Sequence, residues 1–295
     1  MKTIGFIGLG SMGMPMAGNL LAKGFQVRGF DVRAESAAAL ADRGGTPAAT
    51  AAEAARGADA LVLMVVNAAQ AEAALFDGGA LEALPSGGVV VLMATCPPGA
   101  VEALAARVEA AGRRFVDAPV SGGVVGAVAG TLTIMAAAPK ATFEAAKPVL
   151  AGMGDKLFHV GERPGQGATV KTVNQLLCGV HIAVVAEAFA LAAKVGVDLD
   201  ILLEIMGGSA ASSWMLKNRG PRMLESEPEV TSAVDIFVKD LGIVLEAGRD
   251  AKAALPLAAV AHQLFLATSG RGEGAADDSQ VIRTYHAMNG TKRPG

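Results

Sequence analysis

The chain has 295 residues, enough for two domains or for one domain with a large appendage. It is 52% hydrophobic but only 4% aromatic, so the core must be aliphatic and alanine-rich, a composition that favours closely packed helices. A formal net charge of −3 argues against an electrostatic nucleic-acid binder, because neutralising phosphates requires a basic excess. Two distant cysteines, Cys96 and Cys178, fit no metal or redox spacing, so no metal site is expected and reduced thiols in the cytoplasm are the plain reading.

The first element is a short apolar strand that runs into Gly8-Leu9-Gly10-Ser11-Met12-Gly13. A helical pattern through Ala17, Leu20 and Leu21 follows, then a second strand at 26–30 that ends on Asp31. Each residue type has a mechanical role in holding a dinucleotide. Gly8 permits the tight turn, Gly10 lets the backbone approach a pyrophosphate, and Gly13 allows close packing of helix on strand. The helix N-terminus offers N–H groups and a positive dipole to the phosphates. Asp31, roughly 20 residues on, is placed to accept the ribose hydroxyls, so NAD is the expected cofactor. The glycines interrupt the N-terminal apolar run, which argues against a targeting segment.

To about residue 160, short apolar runs alternate with alanine-rich helical segments. Strands are expected at 60–65, 88–93, 114–117, 130–136 and 156–160, and helices at 51–57 and 98–111. This alternation implies an α/β fold with a parallel, doubly wound sheet and the ligand at the carboxyl ends of its strands. Asn67, Thr95 and Ser121 each come just after such a strand end, which puts them on the ligand side.

The pattern changes at 161–167, and the chain beyond it is helical to about 288, with breaks at Gly207-Gly208, Pro228 and Pro256. One helix over 168–195 would be roughly 40 Å long, enough to join two domains. Its most apolar part, 180–195, carries His181, Glu187 and Lys194 and reads as a helix buried in protein, too short and charged for a bilayer; no membrane partner is expected. The expected domains are a Rossmann domain at 1–162, an all-α domain at 163–288 and a disordered tail at 289–295. A loop is expected at 270–274, and Asp277-Asp278-Ser279 is placed to cap a final helix.

Three segments could carry chemistry. Lys171 stands near the head of the long apolar helix, and at 100° per residue it shares a face with Asn174 and Cys178. Burial would lower its pKa toward neutrality, as a proton-transfer group needs, whereas a snorkelling surface lysine would do nothing. Ser121-Gly122-Gly123 could form a concavity of N–H groups suited to a carboxylate, or an ordinary turn. Lys239-Asp240 reads by itself as a solvated helix face. Trp214 either walls a pocket or anchors a core. His181 and Cys178 read as packing.

These segments, in this order, resemble the β-hydroxyacid dehydrogenase family typified by 3-hydroxyisobutyrate dehydrogenase. Residues 8–20 resemble its cofactor signature, 117–123 its substrate loop, 165–174 the start of its catalytic helix and 239–241 its late cofactor motif. The resemblance implies a Rossmann domain followed by an all-helical domain, in a homodimer or homotetramer acting on a small hydroxy acid. It makes Lys171 the general acid/base and assigns Ser121, Gly122, Gly123 and Asn174 to the substrate. It assigns Gly8, Leu9, Gly10, Ser11, Met12, Gly13, Asp31, Val66, Asn67, Thr95 and Lys239 to the cofactor. Two departures stand out: Ala94-Thr95-Cys96-Pro97 replaces a serine-threonine-serine stretch, and Arg33 beside Asp31 could partly compensate a 2′-phosphate. Residues 174–183, 213–219 and 232–241 are most similar to the branch acting on L-threonate, a four-carbon sugar acid oxidised at C2. Alternatives are 3-hydroxyisobutyrate, tartronate semialdehyde, succinic semialdehyde (or glyoxylate) and, from another class, a non-catalytic dinucleotide-binding scaffold; the presence of Lys171 favours catalysis.

Overall fold

The apolar runs of the first half become strands of one sheet in a computed structural model, which describes residues 1–291. The strands are β1 (Thr3–Ile7), β2 (Gln26–Phe30), β3 (Thr46–Pro47), β4 (Ala60–Leu63), β5 (Val89–Leu92), β6 (Arg114–Asp117), β7 (Val120–Ser121), β8 (Thr133–Ala137) and β9 (Lys156–Gly161). Their order is β3-β2-β1-β4-β5-β6-β8-β7, with β9 paired to the other side of β8. From β3 to β6 every pairing is parallel. The expectation of a wholly parallel sheet is corrected beyond that point, where β8 runs antiparallel to both β6 and β7. The chain turns back there through the tight β7 segment and one short helix, instead of making a full crossover.

Period-two alternation explains why this sheet is covered on both faces. Ile4, Phe6, Val62, Val89 and Val91 enter one core, while Ile7, Leu61, Leu63, Val90 and Leu92 enter the other. The first core is covered by α1 (Gly13–Ala22), which contributes Met16, Ala17 and Leu20. Helices α2 (Ala34–Ala41), α3 (Ala51–Ala55), α4 (Ala68–Glu72), α5 (Ala80–Ala83), α6 (Pro98–Ala110), α7 (Gly123–Ala129) and α8 (Lys140–Ala151) complete the two layers. Fully burying a side chain such as Phe6 is worth about 1.5–3 kcal/mol, and the small alanines of α3 let that helix lie close to β1.

The long helix α9 runs from Gln166 to Val195, thirty residues or about 45 Å. The chain divides along it into two compact units, one ending at Lys171 and the other starting at Thr172. Among the described residues it is long and apolar enough to cross a membrane by length and composition alone, with a mean hydropathy of 2.1 over its most apolar window. The length comes from the whole helix, of which the apolar 180–195 part is about half. Ile182, Ala186, Phe189 and Ala190 nevertheless lie in the core of the second unit, the role of a core helix.

The second unit adds α10 (Leu199–Gly208), α11 (Trp214–Leu224), α12 (Val234–Asp250), α13 (Pro256–Thr268) and α14 (Ile282–Asn289). The breaks fall where the sequence places them: α10 ends on its glycines, and Pro256 opens α13, where a missing N–H costs nothing. The expected loop at 270–274 is instead largely a π turn, Ser269–Glu273, kinked at Gly272. Asp277 caps a 3₁₀ turn, Asp278–Val281, by accepting the Ser279 N–H. Of the expected tail, Asn289 belongs to α14 and Thr291 bonds back to His286, while 292–295 lie outside the described residues.

Candidate active site

Strand register gathers the expected cofactor residues of the first unit, all but Lys239, along the carboxyl end of the sheet. Ile7 is level with Phe30 and Leu63, Leu63 with Leu92, and Leu92 with Asp117, so these parallel neighbours end together. The residues that leave this end are Gly8 to Gly13, Asp31, Val66-Asn67, Thr95 and the 117–123 segment. The glycines differ in what holds them. Gly8 has φ +92, and a Cβ there would sit 2.3 Å from the Met64 carbonyl oxygen. A Cβ at Gly13 would lie 1.8 Å from the Gly8 oxygen, so helix and turn demand that glycine too. Over Gly10 the first protein atom is Arg33 Nη2 at 3.6 Å, which leaves a cradle suited to a close-lying phosphate. The residues present therefore fit a dinucleotide.

Asp31 closes this turn. Its Oδ2 accepts the Leu9 N–H at 2.7 Å, and its Oδ1 accepts the Arg33 N–H at 2.9 Å and Arg33 Nε at 3.2 Å. Burial pulls its pKa upward, but these hydrogen bonds and the guanidinium outweigh it and hold the carboxyl below the ordinary range. A carboxylate has about four acceptor positions, so capacity remains for ribose hydroxyls. Val66 donates its N–H to Gln70 Oε1 and keeps its side chain half-exposed, while the Asn67 side chain caps α4. Ser121 ends β7, Gly122 has φ +130, and Gly123, with φ +60, opens α7, so the two glycines take conformations that other residues resist.

The start of α9 is held by a residue the sequence reading passed over. Asp117, 1% exposed, accepts the Gly165 and Ala168 N–H groups on Oδ2, both at 2.9 Å. Burial pushes its carboxyl up to about 6 despite those bonds. A Cβ at Gly167 would lie 2.5 Å from the Met135 oxygen and 2.8 Å from the Asp117 oxygen, so the expected close approach at the helix head is present. One turn further on, Lys171 is only 7% exposed, which rules out the snorkelling alternative.

In the second unit, Lys239-Asp240 is not a solvated face: Asp240 is 2% exposed and accepts Gln175 Nε2 on Oδ2. Asn174 is half-buried and donates to Gln175. Trp214 is 51% exposed, so it anchors no core, and it lies against the Arg219 guanidinium at 5.7 Å. Arg219 makes a bidentate pair with the fully buried Asp278, and Arg222 pairs with Asp277. Burial raises the Asp278 pKa in spite of Arg219.

Comparison with known proteins gives the family and the fold. Residues 3–161 match the NAD binding domain of 6-phosphogluconate dehydrogenase, and 165–285 match the NAD-binding of NADP-dependent 3-hydroxyisobutyrate dehydrogenase. The chain belongs to the β-hydroxyacid dehydrogenase family. It is 45% identical to the L-threonate dehydrogenase of Cupriavidus necator, over 96% of both chains. It is 38% identical to the 2-(hydroxymethyl)glutarate dehydrogenase of Eubacterium barkeri, over 99% of this chain and 97% of that one. The crystal structure of a 3-hydroxyisobutyrate dehydrogenase from Salmonella typhimurium superposes with a TM-score of 0.92 at 41% identity, covering 96% of this chain and 99% of that one. This member of the family is an NAD-dependent hydroxy acid dehydrogenase.

Gln175 and Asp117 are the polar residues of the site that the sequence reading missed. A signal for Gln175 was present: it stands four residues after Lys171, only 40° away around a helix, whereas Asn174 is 60° away on the other side. Asp117 was visible only as the first residue of the substrate loop at a strand end, with no role of its own.

Proposed function

We propose that the chain oxidises L-threonate, or a closely related short polyhydroxy acid, at its C2 hydroxyl. In this reading Lys171 is the general base, and Ser121, Gly122, Gly123 and Asn174 hold the substrate. The dinucleotide lies along Gly8 to Gly13, Asp31, Val66-Asn67, Thr95 and Lys239. The observation that carries the chemistry is Lys171, buried near the head of a helix whose start is pinned by Asp117. The substrate rests on likeness to proteins named L-threonate dehydrogenase. We also infer a cytoplasmic homodimer or homotetramer.

When bound, NAD supplies the acceptor for the hydride leaving C2. The chain must do the rest. As charge develops on the C2 oxygen, a neutral amine at Lys171 takes the hydroxyl proton, a role worth about 10²–10⁴-fold in rate. The N–H groups of Gly122 and Gly123 orient the carboxylate, which fixes the carbon to be oxidised. Asp31 bonds the ribose hydroxyls and disfavours a 2′-phosphate, with Arg33 opposing it in part.

The test is a side-by-side assay of L-threonate, D-erythronate, 3-hydroxyisobutyrate and D-glycerate with NAD and with NADP, monitoring nicotinamide reduction. L-threonate with NAD should give the highest kcat/KM, with NAD preferred by roughly tenfold or more. A best result with 3-hydroxyisobutyrate or D-glycerate would reject the substrate, and equal use of the cofactors would mean that Arg33 governs the ribose site.

A further inference from the structure

The head of α9 is built from residues that do not hold a helix by themselves. Gly165 and Gly167 flank its first residue, Gln166, and glycine loses more conformational freedom in a helix than any other residue. The polar side chains of this turn are used elsewhere. Gln166 Oε1 accepts the Arg163 N–H at 2.9 Å, and the Thr169 hydroxyl donates to the Gly165 carbonyl at 2.8 Å. A helix leaves its first N–H groups without an intrahelical acceptor, and here strand β6 supplies one. Asp117 Oδ2 takes the Gly165 and Ala168 N–H groups, and the Gly167 N–H is a third donor to the same carboxyl.

Asp117 is itself fixed from two sides. It is level with Leu92 on β5 and with Ala137 on β8, and the next N–H, that of Ala118, donates to the Leu92 carbonyl at 2.8 Å. The carboxyl therefore ties the helix head to the end of the sheet from which the 117–123 segment leaves. Lys171 follows Ala168 by three residues, so the two share a face one turn apart. A long helical side chain leans back over the turn before its own Cα, and for Lys171 that is the turn Asp117 pins.

We propose that Asp117 is a positioning residue for Lys171: by capping α9 from the sheet, it holds the lysine amine where the substrate hydroxyl can hand over its proton. This rests on the proposed function, in which Lys171 takes that proton. Transfer needs about 2.6–3.2 Å between the heavy atoms, and a misplacement of ~1 Å can cost ~10²-fold in rate. A first turn rich in glycine and left without its cap does not hold an amine to that tolerance.

The experiment is a double-mutant cycle between Asp117 and Lys171. It reads kcat/KM for the hydroxy acid that the wild type prefers, at saturating NAD, with NAD affinity followed by fluorescence. Asp117→Ala should lower kcat/KM by ~10–100-fold and leave the NAD Kd within ~2-fold. Lys171→Ala alone should be slower by roughly 10²–10⁴-fold. In that background Asp117→Ala should cost less than ~2-fold more, because no amine is left to misplace. Asp117→Asn keeps an oxygen for the N–H groups but makes weaker, uncharged bonds, so it should lose only ~3–10-fold, and again nothing without the lysine. If Asp117→Ala no longer binds NAD, the cycle is read from Asp117→Asn alone, and a silent asparagine variant then overturns the proposal.

A merely structural cap would weaken the enzyme by the same factor with and without Lys171, so losses that multiply overturn the proposal. Asp117→Ala at wild-type kcat/KM overturns it too. If Lys171→Ala keeps near-normal turnover, the proposal and the role of Lys171 fall together. If Lys171→Ala is slow and the Asp117 variants act independently of it, only the proposal falls.

Discussion

Lys171 is buried to 7% exposure, and the proposed reaction asks it to accept the hydroxyl proton, so its charge and its proton transfer have to be tested apart. Two replacements separate proton transfer from mere charge. Lys171→Met should lower kcat by roughly 10²–10⁴-fold while NAD still binds, the range of a single general acid/base. Lys171→Arg keeps a cation but cannot be deprotonated at working pH, so it should be as slow as the methionine variant. Steady-state kinetics with NAD titration by fluorescence provides the measurement, and an arginine variant near wild-type turnover would make the role electrostatic. At this scale the sequence was only partly legible. Lys171 stood out as a charge in an apolar helix, and Asp31 as an acid at a strand end. Asp240 did not, because an adjacent Lys-Asp pair on a helix reads as solvated until another helix covers it. Gln175 did not, because a neutral amide gains meaning only from its partner.

Elements were more legible than their joints. Short continuous apolar runs located β4, β5 and β6 to within about two residues, and glycines and prolines marked the ends of α10 and the start of α13. The antiparallel β8 was missed because a buried strand has the same apolar pattern in either direction. The joint between β6 and α9 was missed because it depends on one carboxylate meeting N–H groups 48 and 51 residues away. That joint carries a pH signature. The Asp117 carboxyl titrates at about 6 in the folded chain against an ordinary 3.8, so the folded state holds an extra proton between those values. The resulting stability is fully present below about 3.8 and is lost as pH rises through about 6. Denaturant unfolding of the wild type and Asp117→Asn should therefore diverge with pH. Relative to the variant, the wild type should weaken by on the order of 2–3 kcal/mol between pH 4 and pH 7. Parallel pH profiles would mean that the carboxylate is ionised throughout.

On the scale of the whole molecule, composition foresaw the alanine-rich layers but not how much apolar surface the helical unit leaves uncovered. Val184, Leu191 and Val195 lie on one side of α9 and are 51, 62 and 66% exposed. A helix with so apolar a stretch that packs only one face against its own core needs another apolar surface for the rest, and the proposed second copy of the chain would supply one. Val184→Glu with Leu191→Glu should then be nearly silent for the stability of a single chain, within about 0.5 kcal/mol, because both side chains already face water there. The same pair would place two carboxylates in an apolar contact between copies, which several kcal/mol of desolvation would break. Sedimentation velocity at micromolar concentration should show the wild type as a dimer or larger and the double variant as a monomer with unchanged helix content. A wild type that sediments as a monomer would end the oligomer reading and leave this face of α9 in need of a different occupant.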